Sequence, residues 1–432
     1  MTTAQGTGKT ISSKSARRAS LAGGVGTLIE YYDFSVYGFL ALTIGPLFFP
    51  SDNPTISTLS ALAVFASSYV IRPLGGWIFS RVGDRHGRRR ALVATIVLMG
   101  VASGVIGLLP TYAQIGVGAT IAIIAARLAQ GLAAGGEIGG AATYISELAP
   151  PGKRGYYGST ISIGSTLGFA VAAAVVGLVR ILVPADQVAV WGWRIPFLLS
   201  LLLTVVCLWA RLRLEESPQF QELKEKAAIV RSPLLAALRS HPLAVARVAG
   251  LAVAFNGTGY FGVAYFAIFL QQEGFSATGV AWTAALCIAL ATLTYPWTGR
   301  LTDRYGRRPV LLASYIAYAA IGFPVFAVLI ATDDLWVVGI VYFVCLFFTG
   351  WAQVPAWPLA TELFPANVRY SGIAIGYNLG VIIGGVTPLV AAALVAGTGS
   401  RMSPVYWMIA MAVVGMVTMV RLPRTASKPL PV

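Results

Sequence analysis

The residues of this chain best placed to do chemistry are five ionisable side chains set in apolar runs: Glu30 and Asp33 in IEYYDFSVYG, Arg72 in YVIRPLGGW, and Arg127 and Glu137 in ARLAQGLAAGGEIGG. A charge in such surroundings is costly unless paired, and by default it marks a functional path. Glu30, Asp33 and Tyr37 are spaced i, i+3, i+7 and share one face of a helix; Arg127, Gln130, Ala134 and Glu137 form a similar stripe. At about 1.5 Å per residue from the basic ends of their helices, Glu30 and Asp33 lie roughly 15–20 Å deep, Arg72 about 12 Å and Glu137 roughly 15 Å. These four are expected in one layer, with Arg127 about another 15 Å beyond. Three carboxylates then face one arginine. A structural clamp between Arg72 and a carboxylate leaves that surplus unexplained, whereas a site that takes up and releases protons requires it. Glu30, Asp33 and Glu137 are therefore the proton-coupling candidates, as an interacting set. Arg72 is the candidate anion anchor, with Arg127, Tyr37 and Gln130 as further substrate-binding candidates. His86 and His241 fall in polar, basic segments, so no histidine relay is expected.

Positioning such groups requires helices in a bilayer. Of the 432 residues, 57% are hydrophobic and only 11% charged, with mean hydropathy +0.75; a soluble domain carries about 25% charge. A spanning helix needs roughly 20 mostly apolar residues. Twelve runs qualify: 20–49, 57–80, 91–109, 118–148, 155–181, 192–211, 243–271, 277–299, 309–331, 335–359, 370–397 and 404–421. The fold class expected is an all-α membrane protein, with 12 transmembrane helices in two pseudo-symmetric six-helix bundles. With the N-terminus inside, 26 of the 31 lysines and arginines fall in cytoplasmic segments, as the positive-inside rule requires. The net charge of +15 is thus a topology signal rather than a nucleic-acid footprint. The expected division is a cytoplasmic tail 1–19, a bundle 20–211, a polar linker 212–242, a second bundle 243–421 and a tail 422–432.

Several features carry no chemistry. Cys207, Cys287 and Cys345 lie in apolar runs without ligand spacing, so neither disulfide nor metal is expected. GTGKT at 6–10 lacks the earlier glycine and preceding strand of a phosphate-binding loop. No signal peptide is read at the N-terminus, and no cofactor is expected. An enzyme is excluded by the lack of a metal constellation, nucleophile triad or nucleotide site.

The same punctuation occurs in both halves. Gly83-Asp84-Arg85-x-Gly87-Arg88-Arg89 corresponds to Asp303-Arg304-x-Gly306-Arg307-Arg308, and Glu147-x-x-Pro150 with Arg154 corresponds to Glu362-x-x-Pro365 with Arg369, at nearly equal offsets. An internal duplication of six-helix halves follows. An acid in a tight glycine-bounded turn among arginines makes charge-assisted pairs with neighbouring helix ends. Asp84, Arg85, Arg88, Asp303, Arg304 and Arg307 are the gating candidates, with Glu147 beside Arg154 and Glu362 beside Arg369. They are expected to form inside latches, closed in one state and broken in another. Weaker pocket candidates are Asn256 and Tyr260, Trp351 and Gln353, and Tyr377 and Asn378. For these aromatics a membrane-interface role is about equally expected. The glycine pairs 131/135, 164/168 and 380/384 suit close helix packing.

These loops, with the pattern Arg127–Glu147–Arg154, resemble the major facilitator superfamily. Within it, IEYYDFSVYG, IRPLGGWIFSRVGDRHGRR, RLAQGLAAGGEIGGA, WGWRIPFLLS and LFPANVRYSGIAIGYN are similar to the metabolite:proton symporter family. The resemblance implies two six-helix bundles, alternating access, a central site and uptake driven by the proton gradient. It implies substrates such as proline and betaine, α-ketoglutarate, citrate or shikimate. VRYSGIAIGYNLGVIIGGVTPLVAAALV looks most like the proline/betaine members, whereas the first half is equally close to the dicarboxylate branch. The long coiled-coil tail of osmosensing members is not matched, so osmotic control by such a tail is not expected. The partners expected are a small carboxylate or zwitterion, protons and the lipid bilayer, with the chain working as a monomer. A proton-coupled exporter would use identical loops, and a non-transporting membrane sensor would bind without flux.

Overall fold

The structure is a computed structural model. It describes residues 13–86, 88–136, 138–150, 152–212, 233–366, 368–420, 422, 425, 430 and 431. All regular structure among the described residues is helical. Twelve helical passes follow in order. Span 1 is Ser13–Phe39 continued by Ala41–Phe48, and span 2 is Pro54–Val70 continued by Arg72–His86. Span 3 is Arg88–Leu108, span 4 is Val117–Gly135 with Ile138–Leu148, span 5 is Arg154–Leu182 and span 6 is Arg194–Leu212. Span 7 runs through Pro242–Tyr260, Phe261–Tyr265 and Phe266–Gln272. Span 8 is Ala277–Leu293 with Tyr295–Tyr305, span 9 is Arg307–Ala331 and span 10 is Leu335–Glu362. Span 11 is Arg369–Gly385 with Thr387–Thr398, and span 12 is Pro404–Thr418.

Among the described residues, eight passes are long and apolar enough to cross a membrane by length and composition, or nine with the bent pair around Trp193. The shortfall from twelve has local causes. Span 1 carries Arg17, Arg18, Glu30 and Asp33, and the apolar parts of spans 3 and 12, Val93–Leu108 and Pro404–Thr418, are short. Most of the linker expected at 212–242 lies outside the described residues, which resume at Pro233–Ser240.

Span 1 packs along span 5, and span 7 along span 11, the same pairing in each half. The halves meet where span 5 crosses spans 8 and 10, and where span 11 crosses spans 2 and 4. Glycines permit the closest crossings, and each of the three expected pairs is used. Gly131 and Gly135 face the backbone of Ser68 and Arg72, Gly164 faces Gly24, and Gly380 faces Ala249. The first contact fixes a parallel register between spans 2 and 4.

Among the described residues six spans are interrupted, span 1 at Leu40, and proline explains three of the other breaks: Pro73 after Ile71, Pro296 after Thr294 and Pro388 after Val386. Span 4 breaks after Gly135, and span 7 widens to a π-turn at Phe261–Tyr265. In a bilayer, carbonyls freed by a break must find donors inside the protein. At the span 4 break they find them on span 11. Asn378 Nδ2 donates to Gly135 O at 3.1 Å, and the Tyr370 hydroxyl to Gly136 O at 3.2 Å. Gly306, at φ 95°, makes the turn between spans 8 and 9 in a region that favours glycine.

Candidate functional site

The centre of the molecule is built around Arg72 and Arg127, which are 1% and 0% exposed. Arg72 opens the second segment of span 2, so the break at Ile71 delivers it to the middle of the bundle. Its guanidinium carbon lies 4.6 Å from the Phe34 ring centre and 4.8 Å from that of Tyr69. Arg127 lies 4.7 Å from the same Phe34 ring and 4.4 and 5.2 Å from Tyr37 and Phe65. The guanidinium groups therefore share one aromatic layer, closer together than helix rise alone places the two residues. The register Ser68–Gly131 and Arg72–Gly135 separates their backbones by eight residues, about 12 Å. Two long side chains close that gap. Each ring contact contributes on the order of 1 kcal/mol towards the cost of burying the charge.

Four tyrosines surround Arg72: Tyr31 and Tyr69 from the first half, Tyr260 and Tyr377 from the second. They bond in pairs across the halves. The Tyr31 and Tyr377 hydroxyls are 3.2 Å apart, and the Tyr69 hydroxyl donates to Tyr260 at 2.5 Å. Nε and Nη1 of Arg72 are buried with no hydrogen-bond partner among the described residues. Donors held in that way suit an anionic guest.

Beside this cage lies a cavity of about 30 Å³, room for little more than one water. Tyr31, Phe169, Phe255 and Tyr260 supply aromatic walls, with Ser165, Thr166, Asn256 and Gln353 as polar groups. Across the cavity Thr166 donates to Gln353 Oε1 at 3.1 Å, and Gln353 Nε2 donates to Ser165 at 3.0 Å. Trp357 meets Phe255 edge-on and Tyr377 stacks on it, with ring centres 5.8 and 6.0 Å away. Asn378 instead serves the span 4 break through Gly135. Trp351 packs against Trp297 and Phe347 rather than on the cavity.

The acids take a different place from the one expected. Asp33, 1% exposed, lies inside the first bundle, where it lines a narrow cleft with Glu30, Thr95, Met99, Thr204 and Cys207. Its hydroxyl neighbours are Ser103 of span 3 and Ser200 of span 6, and its Oδ1 has no hydrogen-bond partner among the described residues. The reason is angular. Phe34, the next residue along span 1, takes the face towards Arg72 and Arg127 and turns Asp33 away. Glu30 is buried on the same cleft, close to Tyr31 and Tyr377. Glu137 lies outside the described residues. Gln130 accepts from Arg127 at 2.7 Å and donates to Ser103 at 2.7 Å, so it faces the bundle interior rather than the cavity.

At the end of the bundle that carries the basic loops, the latch candidates converge. Arg307 donates to Asp303 at 2.7 Å and to Glu362 at 3.0 Å, and Arg154 reaches Glu362 at 3.4 Å. Asp303 also accepts from the backbone N–H groups of Gly155 and Tyr156, at 2.8 and 2.9 Å, capping the start of span 5 from the other half. Arg369 donates to Glu147 at 2.7 Å. The pairing Glu147 with Arg154 and Glu362 with Arg369 is thus exchanged. Each arginine crosses to the acid of the opposite half, because pseudo-symmetry brings the two loop sets face to face. Arg304 sits over the Tyr305 ring, 5.4 Å away, outside this network. The side chains of Asp84, Arg85 and Arg88 lie outside the described residues.

Sequence reasoning missed Tyr31, Tyr69, Ser103 and Ser200. Tyr69 stands one turn before Arg72, a usable signal; the two serines in apolar runs offer none without knowing what they face.

The family model described as Major Facilitator Superfamily matches residues 24–388 and 248–431. A proline/betaine transporter of Salmonella typhimurium is 35% identical over 428 residues, covering 96% of this chain and 85% of that protein. A shikimate transporter of Escherichia coli is 36% identical over 391 residues, covering 89% of each. Among solved structures, the xylose transporter XylE from E. coli, partially occluded and inward open, superposes with a TM-score of 0.73 at 19% identity, covering 97% of this chain and all of that one (100%).

Proposed function

Because the chain belongs to the Major Facilitator Superfamily, we propose that it is a proton-coupled symporter, importing a small carboxylate-bearing metabolite, an organic acid or a zwitterion, by alternating access. The observation that carries this reading is Arg72, with two buried free donors, enclosed by tyrosines of both halves beside a cavity whose described lining holds aromatic rings, hydroxyls and amides but no acid. A substrate carboxylate takes a bidentate pair from the guanidinium. An ammonium group, especially a substituted one, finds the ring faces of Tyr31, Phe169, Phe255 and Tyr260. The relatives named as proline/betaine and shikimate transporters support a carboxylate-bearing substrate.

The tyrosine pairs join the halves directly over the arginine, so a guest that separates them changes the fit between the bundles. The basic loops point to the cytoplasm by the positive-inside rule, which puts both termini there and the membrane as the cytoplasmic one. The cross-half pairs Arg369–Glu147 and Arg154–Glu362 and the Asp303 cap then form the inner gate, closed in this conformation. Asp33 is the favoured proton carrier, with Glu30 beside it.

The test is uptake of labelled glycine betaine, proline and shikimate into proteoliposomes with an inside-alkaline pH gradient. Accumulation that a protonophore abolishes is expected for at least one of them. No carboxylate uptake, with proton-driven extrusion of a cationic drug, overturns the proposal in favour of an exporter.

A further inference from the structure

We propose that Gln130 and Ser103 are positioning residues that couple the proton carrier to the arginine layer, through a hydrogen-bond chain of fixed direction. The proposal rests on the reading of Asp33 as proton carrier. Two bonds link spans 4 and 3: Arg127 Nη1 donates to Gln130 Oε1, and Gln130 Nε2 donates to Ser103 Oγ, each at 2.7 Å. Arg127, Gln130 and Ser103 are all fully buried, at 0% exposure, so water does not compete for these bonds.

Its direction follows from donor chemistry. A guanidinium only donates, so Gln130 must turn its carbonyl to Arg127 and its NH₂ to Ser103. Ser103 therefore accepts from Gln130 and keeps its own proton to give onward. The Asp33 carboxyl is the acid beside it, with Oδ1 buried and unpartnered. An ionised carboxylate only accepts and receives the hydrogen bond of the Ser103 hydroxyl; a protonated carboxyl carries a donor of its own. The Ser103–Asp33 contact is thus where the state of the proton alters the chain. In a low-dielectric interior the bonds of such a chain polarise one another, so the change reaches Gln130 and the guanidinium. Arg127, otherwise held by the rings of Phe34, Tyr37 and Phe65, is then drawn towards Gln130 or released to the aromatic layer it shares with Arg72.

Among the described residues, the titratable surroundings of Asp33 are few. Glu30 and Tyr32 stand on its own helix, and Cys207 of span 6 lines the same cleft. Spans 3 and 6 add the hydroxyls of Thr95, Ser103, Ser200 and Thr204. Span 5 meets this stretch of span 1 through Gly168 and Phe169. On the side of span 2, Phe34 stands between Asp33 and the pair Arg72 and Tyr69. Span 4 contributes Arg127 through Gln130, and Glu137 lies outside the described residues.

The test is an infrared titration of the protonated-carboxyl band in full-length protein in proteoliposomes, with protons as the only ligand varied. The part of the band lost in Asp33→Asn assigns Asp33. Ser103→Ala and Gln130→Leu should each displace its midpoint by at least about half a pH unit, a threefold change in proton affinity. Ser103→Thr should restore it. The Gln130 result is decisive, because Gln130 does not touch Asp33 and a merely structural neighbour would leave the midpoint alone. If Q130L fails to fold around its buried arginine, Gln130→Asn, too short to hold both partners, gives the same readout. A wild-type midpoint in the Gln130 variant overturns the chain while leaving Asp33 as carrier. An unchanged band in D33N overturns the carrier reading, and the coupling with it.

Discussion

At the scale of single residues, Arg72 asks most of its surroundings, and the proposed function rests on it. Only a planar guanidinium can lie against Phe34 and Tyr69 at 4.6 and 4.8 Å while keeping Nε and Nη1 free for a guest. Lysine keeps the charge but loses both the stacking surface and the fork. Arg72→Lys should therefore cost about 2–3 kcal/mol of substrate binding, roughly 30- to 150-fold in uptake affinity. The measurement is the KM for whichever of glycine betaine, proline or shikimate is accumulated, in protein of wild-type melting temperature; a wild-type KM removes Arg72 from the site. In the proposed cycle Asp33 has the complementary role. Asp33→Asn fixes the neutral form, so uphill accumulation should fall to background while substrate exchange across the membrane continues. Counterflow and gradient-driven uptake in the same vesicles separate the two, and equal loss of both contradicts the assignment.

At the scale of helices, register decides which charges meet. Gly131 and Gly135 press span 4 onto the backbone of Ser68 and Arg72, and that contact aligns the arginines across Phe34. A larger side chain there meets backbone, which cannot turn aside. Gly135→Leu should destabilise the protein by about 1–3 kcal/mol or more, seen as a lower melting temperature in detergent, and should weaken substrate binding through Arg72. Unchanged stability would mean that the two spans do not pack this closely.

The same contact marks how far the sequence could be read. Apolar runs, buried charges, glycine pairs and the duplicated loops were legible because each is a pattern within one helix or a repeat along the chain. The layer of Arg72 with Arg127 was not, because it depends on the offset between spans 2 and 4, which neither span states. Asp33 shares a helical stripe with Glu30 and Tyr37, yet the neighbouring Phe34 takes the arginine side. The spacing i, i+3 groups side chains correctly; it does not say which helix they face.

At the scale of the whole molecule, the proposed gate depends on the exchange of partners between the two sets of loops. A bond between Glu147 and Arg154 would tie one half to itself and leave the other free to move. The observed bonds Arg369–Glu147 and Arg154–Glu362 tie half to half, so the basic end cannot open without breaking them. Arg369 also donates to the Thr361 and Phe364 carbonyls, which hold it in place as its acid departs. Breaking the pair should therefore favour the state open at the basic end without unfolding the protein. This predicts a double-mutant cycle with Glu147→Gln and Arg369→Gln, read by thiol labelling of Val263→Cys in the cavity wall, in protein whose three native cysteines are replaced by alanine. A reagent admitted from the basic end should label either single variant faster than the parent. The double variant should be little faster than either single, giving a coupling of about 1–3 kcal/mol. Additive effects would mean that the two side chains act separately, and that the loops hold the halves together by charge in general rather than by this bond.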